Sequence, residues 1–240
     1  MAKIPIRITP DPIFQAVIEI RFVPTERFNI PQIFALLGND FTDYQQSEIP
    51  RTVRESDSSL KYSPDGEFIK ENLTFGFGKY VLLFRNIAPY LGWDKFYNFI
   101  KTNCLKLLQV GMIGKIERIG LRYYNIFKDV NNLQEFTHYN LVLSEEEEYT
   151  NKSVDYKSLL IRERYHFNLG LRTHTNVKTL TESMIGTLVD IDAFVESNLP
   201  DSLNSETLEL INNLHSEEKK LFFSILTQDY VDNNLNPEYA

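Results

Sequence analysis

Hydrophobic and polar residues alternate along several segments of this chain, and the pattern predicts β-strands with one covered face. In the segment IFQAVIEIRFV, which begins at Ile13, apolar residues recur at every second position and the charged Glu19 and Arg21 fall between them. Successive strand residues point to opposite faces, so one face of this strand is expected to be buried. Similar patterns predict strands near 47–56, 59–63, 67–78, 80–87, 115–128, 140–148, 157–171, 173–181 and 184–195.

Other segments carry apolar residues three and four positions apart, which is the spacing of an amphipathic helix. One such helix is predicted to begin at Asn29-Ile30-Pro31, with proline in its first turn. A second covers about 92–110, and a weak one is predicted at 131–139. A long helix over 204–228 closes the chain, and Asn204 is its expected N-cap.

This element order predicts an α+β fold built from two tandem β-α-β4-α halves, 1–112 and 113–240, in one continuous globular unit. Short hairpin connections favour a largely antiparallel sheet with the helices on one face. The order resembles the half-unit of the saddle-shaped TATA-binding protein fold, in which two tandem units share one curved sheet. The resemblance is one of topology, so it implies a saddle-like fold and no promoter binding.

Composition limits the partners that the chain is expected to have. The 240 residues include 25 Lys and Arg against 33 Asp and Glu, a net charge of −8. This charge repels nucleic acid phosphates and anionic lipid surfaces, so neither duplex DNA nor a membrane is an expected partner. A single cysteine, Cys104, excludes an intrachain disulfide and is predicted to be a core residue. With no signal peptide and no long apolar run, the chain is predicted to be cytoplasmic.

Arginines are concentrated on the polar side of two predicted strands. In the segment RIGLRYYN, Arg118, Gly120, Arg122 and Tyr124 share one face of the strand, while the apolar residues share the other. The segment IRERYHFNLGLRTHT, which begins at Ile161, repeats the arrangement. If the helices cover the apolar face, both polar stripes lie on the open face of the sheet. The predicted ligand- or partner-binding residues are Arg118, Arg122, Tyr124, Arg162, Arg164, His166 and Arg172.

Two interpretations of these arginines remain open at this point. Free guanidinium groups would suit the phosphate or carboxylate groups of a small anionic ligand or of single-stranded nucleic acid. Alternatively, acidic residues on neighbouring strands, Asp190 and Asp192 above all, would pair with the arginines and neutralise the face.

No catalytic or metal-binding motif is evident along the chain, and no cofactor is predicted. His166 and His174 are eight residues apart on one predicted strand, too far for a shared metal ion at about 3.3 Å per residue. A glycine-rich phosphate loop and a nucleophile elbow are both missing from the sequence. The leading hypothesis is therefore a non-enzymatic module that binds a protein partner through the open sheet face and its edges, with a homodimer as one form of this binding. A hydrolase site near His166 and His174 is the third hypothesis, after the anionic-ligand alternative.

Three segments resemble a sporadically distributed, largely uncharacterised family of bacterial proteins. They are EIRF near the N-terminus, RIGLRYYN in the middle, and LH followed by FFSILT near the C-terminus. The resemblance implies no catalytic residue. It implies a partner-binding role that is accessory to a bacterial defence or mobile-element system.

Overall fold

The protein folds around one large antiparallel sheet, which confirms the predicted α+β class. A computed structural model describes residues 4–140, 152–178 and 183–239. Within them all the paired strands run antiparallel. The strands are β1 (Ile13–Pro24), β2 (Asp43–Gln46), β3 (Gly66–Lys70), β4 (Leu73–Gly78), β5 (Val81–Ile87), β6 (Ile113–Lys128), β7 (Asp155–Arg162), β8 (Tyr165–Lys178) and β9 (Ser183–Val195). The helices are α1 (Ile30–Leu37), α2 (Arg51–Ser56), α3 (Trp93–Val110), α4 (Ser205–Ile225) and α5 (Gln228–Asn234).

The sheet has the strand order β2-β3-β4-β5-β1-β6-β9-β8-β7. Its centre is therefore the pair β1 and β6, the strands that open the two predicted halves. Ile18 lies opposite Leu121, and Ile20 opposite Ile119. All four side chains are fully buried on the face that the helices cover.

Helices α1, α3 and α4 pack on this covered face through their apolar sides. Asn204 caps α4 as predicted, and its side chain accepts a hydrogen bond from the Thr207 amide. Contacts between helices then join α3 to α4: Trp93 stacks on His215 with ring centroids 4.0 Å apart. Cys104 is 1% exposed, as predicted for a core residue, and burial raises the pKa of its thiol to about 12.

The connection between β2 and β3 differs from the prediction. Strands were expected near 47–56 and 59–63, but α2 and a 3₁₀ helix at Ser58–Leu60 occupy these positions. Pro50 directly precedes the first turn of α2. Amide groups at the start of a helix have no carbonyl partner within it, so the missing N–H of proline loses no helical hydrogen bond. The Asp57 carboxylate accepts a hydrogen bond from the Ser59 amide and so begins the 3₁₀ helix. These local polar contacts favour helical turns over the strands that the weak alternation of apolar and polar residues predicted.

The end of this connection lies across the open face, opposite the helices. Gly78 provides the room, because a Cβ added there would lie 2.8 Å from the Ser63 carbonyl oxygen and 3.2 Å from the Pro64 Cα. The Arg21 guanidinium lies 4.2 Å from the centroid of the Tyr62 ring. The connection therefore forms one wall beside the central strands.

A hairpin interrupts the segment that was predicted as one strand over 157–171. Strand β7 ends at Arg162 and β8 begins at Tyr165, with Glu163 in the left-handed region at φ 55°. The turn lacks glycine, asparagine and proline, so the sequence contains no signal for it. Ile161 pairs with His166 and so lies on the open face, where it is 64% exposed. Arg162 pairs with Tyr165 and lies on the helix-covered face.

Other predicted boundaries also changed. The weak helix predicted at 131–139 is a 3₁₀ helix at Leu133–Glu135. Helix α5 was not predicted. The strand predicted at 140–148, and the acidic run 145–148 within it, lie outside the described residues except for position 140.

Over the described ranges, none of the helices combines the length and apolar character needed to span a bilayer.

We expect Gly78→Ala to lower the free energy of unfolding by about 1–3 kcal/mol, since the new methyl group would overlap the backbone at Ser63 and Pro64. Gly38→Ala is the matched control: its Cβ would meet only a side-chain atom of Phe68 at 4.0 Å, and its φ of −54° suits alanine. Urea unfolding measures both variants. Equal effects would contradict the close packing of the connection on β4.

Candidate functional site

The open face of the sheet carries a shallow hollow of about 310 Å³ at its centre. Strands β5, β1, β6 and β9 supply its lining in this spatial order. Its polar and charged lining residues are Gln15, Glu19, Arg21, Arg85, Arg118, Arg122, Tyr124 and Asp192, and its other lining residues are Val17, Leu83 and Gly120. Of the predicted site residues, the hollow brings together Arg118, Arg122 and Tyr124.

Arg118 is held by acidic residues on both neighbouring strands and is only 8% exposed. Its Nη1 donates to Glu19 Oε1 of β1 at 2.5 Å, and its Nη2 donates to the two carboxylate oxygens of Asp192 of β9 at 2.9 and 3.1 Å. Its guanidinium carbon lies 4.5 Å from the centroid of the Phe194 ring. The sequence suggested that Gly120 leaves room for a partner, but the Arg118 guanidinium occupies this space, and a Cβ at Gly120 would collide with it.

Arg122 makes a bidentate ion pair with one aspartate. Its Nε donates to Asp190 Oδ1 at 2.8 Å, and its Nη2 donates to Oδ2 at 2.6 Å. These hydrogen bonds raise the pKa of Arg122 above its ordinary value. The guanidinium also covers the Tyr124 ring at 4.5 Å, and Phe14 contacts the same ring at 5.6 Å between centroids. Tyr124 is therefore already engaged and is poorly placed to stack on a nucleobase.

The first half of the chain contributes further charged pairs to the open face. Arg85 of β5 forms an ion pair with Glu67 of β3. Arg21 Nε lies 2.8 Å from Glu19 Oε1, with the geometry of an ion pair and not of a hydrogen bond. The sequence of β5 begins with four consecutive apolar residues, all of them buried, so it offers no alternation that would have assigned Arg85 to this face.

The polar stripe of β8 extends the open face away from the hollow. The Asn168 amide donates to Asp192 Oδ2 at 3.2 Å, and the His166 ring lies 5.2 Å from that of Phe194. Arg172 Nε lies 3.2 Å from Asp155 Oδ2, and both side chains are about half exposed. His166 and Arg172 are thus on the predicted face, beside the hollow.

The other two predicted arginines are not on this face. Arg162 lies on the helix-covered side, where its Nη1 is 3.7 Å from Glu217 of α4, and its side chain is 63% exposed. Arg164, in the β7–β8 turn, donates to the carbonyl oxygens of Ser197 and Asn198 at 3.1 and 2.8 Å. The hairpin that the pattern did not predict separates both residues from Arg118 and Arg122.

Paired charges and neutral unpaired groups together characterise the hollow. Each of its arginines has a carboxylate partner. By contrast, no described residue forms a hydrogen bond with the Gln15 side chain or the Tyr124 hydroxyl. The geometry agrees with the second interpretation of the arginines, in which acidic residues on neighbouring strands neutralise the face.

Beneath the sheet, several titratable groups are buried on the helix-covered side. The Tyr123 hydroxyl lies 3.1 Å from both the Tyr90 hydroxyl and His215 Nδ1. Burial, with a smaller effect of Lys219, lowers the pKa of His215 to about 3. Burial likewise raises the pKa of Glu218 to about 8. Across the described part of the chain, no three His, Cys, Asp or Glu side chains are grouped so that they could hold a metal ion.

Neither a family model nor a curated protein sequence matches this chain.

We expect Arg118→Met to lower the free energy of unfolding by about 1.5–3 kcal/mol, because the variant loses charge-assisted hydrogen bonds to Glu19 and Asp192 in a mostly buried site. Arg162→Met is the matched control, with an expected change below about 0.5 kcal/mol because its side chain is exposed. Chemical denaturation compares the two. Equal losses would show that the central arginine is not held by its acidic neighbours.

Glu218 is expected to make the stability of the protein fall as the pH rises from about 4.5 to about 8. The folded protein retains the Glu218 proton up to pH about 8, whereas an unfolded glutamate releases it near 4.5. The folded state therefore binds more protons in this window, and raising the pH favours unfolding. Glu218→Gln should become more stable relative to the wild type as the pH rises.

Melting temperatures between pH 5 and 8 test this dependence on Glu218. Glu209→Gln, an exposed change on the same helix, is the control and should follow the wild type at every pH. Burial of His215 has the opposite effect on the protein, which becomes less stable as the pH falls below 6.5. All three proteins contain His215, so its contribution to the stability cancels in the comparison. Parallel curves for Glu218→Gln and the wild type would contradict the proposed burial of a protonated carboxyl group.

Proposed function

We propose that this chain is a non-enzymatic protein that binds a partner protein through the open face of its sheet, with a segment of the partner seated in the central hollow. The observation that carries the proposal is the combination of mutually paired charges with neutral hydrogen-bonding groups. The Gln15 amide and the Tyr124 hydroxyl lie opposite each other on β1 and β6 and have no hydrogen-bond partner among the described residues. Such groups suit the amides and carbonyls of a polypeptide.

The ion pairs favour a protein partner over the alternative, an anionic small ligand or single-stranded nucleic acid. A phosphate group would have to compete with Glu19 and Asp192 for Arg118, and with Asp190 for Arg122. Breaking such a pair leaves a carboxylate without its partner, which costs free energy. The net charge of −8 adds a repulsive field.

The proposal also concerns the symmetry and the shape of the sheet. We infer that 1–112 and 113–240 are tandem repeats that share one saddle-like sheet, as in the TATA-binding protein topology. Two features support this: β1 and β6, which open the two halves, pair at the centre, and the last strand of each half, β5 or β9, lies directly outside them. In a saddle of this kind, the open face would be the concave one.

The biological setting is part of the same proposal. Its support is the resemblance of EIRF, RIGLRYYN and FFSILT to the bacterial family described above. On this basis the partner is a cytoplasmic component of a defence or mobile-element system. A second copy of the chain is the other candidate partner.

Capture from a bacterial lysate tests the face directly. The immobilised chain is compared with Gln15→Lys, which places a long charged side chain in the hollow, and with Gln109→Lys, which adds the same side chain on the exposed side of α3. We expect a specific protein to be retained by the wild type and by Gln109→Lys, and to be lost with Gln15→Lys. All three should have similar melting temperatures.

Two results would contradict the proposal. One is equal retention of the same protein by all three chains, which would place the interface elsewhere. The other is tight binding of a fluorescent single-stranded oligonucleotide that Arg122→Gln abolishes, which would favour the alternative ligand. Light scattering of the purified chain tests self-association.

A further inference from the structure

A second cavity, an open hollow of about 330 Å³, lies on the helix-covered side of the molecule. Helix α3 forms one side through a stripe of residues that recur three and four positions apart. The other side comes from the ends of β3 and β4 and from the turn after α1. This size is within the range of small-molecule sites. None of its lining residues belongs to the hollow on the open face.

Lysines give the cavity an excess of positive charge. Lys70, Lys95 and Lys106 line it together with a single acidic residue, Asp40. Asp40 forms an ion pair with Lys106. Among the described residues, neither Lys70 nor Lys95 has a carboxylate partner. The lining of this cavity therefore has three cationic side chains and one anionic side chain, in a chain whose net charge is −8.

Apolar side chains form the floor of the same cavity. Phe41, Leu73 and Phe99 line it, and the rings of Phe41 and Phe99 pack edge to face with centroids 6.0 Å apart. Asn103 also faces the cavity and is only 4% exposed. Its amide nitrogen donates to the Phe99 carbonyl oxygen, while no described residue donates to its side-chain oxygen. That oxygen is left to accept a hydrogen bond from a ligand.

We propose that this cavity binds a small organic anion with an apolar ring or chain. The floor takes the apolar part, Lys70 and Lys95 take the anionic group, and Asn103 accepts from a hydroxyl or amide of the ligand. The arrangement differs from the open face, where carboxylates pair with the arginines. This site is independent of the proposed partner-binding function.

Fluorescence titration with anilinonaphthalene sulfonate tests the site, because this probe joins an aromatic body to a permanent anion. We expect saturable binding at one site on the folded wild-type protein. Lys70→Gln combined with Lys95→Gln should weaken it at least tenfold. The matched control, Lys101→Gln combined with Lys115→Gln, removes the same charge from exposed positions and should bind like the wild type.

A neutral analogue of the probe separates the contribution of its charge to binding from that of its apolar contacts. Phenylnaphthylamine lacks the sulfonate, so its binding should be weaker and should not respond to the lysine substitutions. Thr102→Trp, which narrows the cavity from its exposed side, should weaken both probes. Melting curves confirm that each variant is folded. Absence of saturable binding, or equal losses in the cavity variant and the control variant, would overturn the proposal.

Discussion

The antiparallel pairing of β1 with β6 is the constraint on which the rest of the molecule depends. It joins the strands that open the two predicted halves, and it buries their apolar sides against the helices. The same register places Glu19 opposite Gly120, where the Arg118 guanidinium lies. A shift of one residue would send the charged side chains to the covered face and the apolar ones to the open face.

The open face differs from an ordinary basic surface because its arginines and carboxylates form a lattice of separate cross-strand ion pairs. Arg118 joins β1 to β9, and Arg122 joins β6 to β9, so each ion pair also ties neighbouring strands together. Arg118 is buried enough for its hydrogen bonds to affect stability, whereas Arg172 at the edge is about half exposed and contributes less. The lattice leaves neutral groups, Gln15 and Tyr124, as the available contacts in the hollow.

The sequence was sufficient for the parts of the fold in which pattern and tertiary packing agree. The alternation in β1 and β6 and the cap of α4 at Asn204 were predicted correctly. The β7–β8 hairpin was not, because Glu163 takes a positive φ without the residues that usually mark a turn. That one omission assigned Arg162 to the wrong face. Which carboxylate pairs with which arginine depends on strand order, and the sequence contains no direct signal for it.

The most direct test of the account is a double-mutant cycle between Arg118 and Asp192. The unfolding free energies of the wild type, Arg118→Met, Asp192→Asn and the double variant give the coupling between the two side chains. If the arginines are held in a lattice, the double variant should lose less than the sum of the single losses, with a coupling of about 1 kcal/mol or more. Losses that add to within about 0.3 kcal/mol would contradict the account, since they would show that Arg118 does not depend on Asp192.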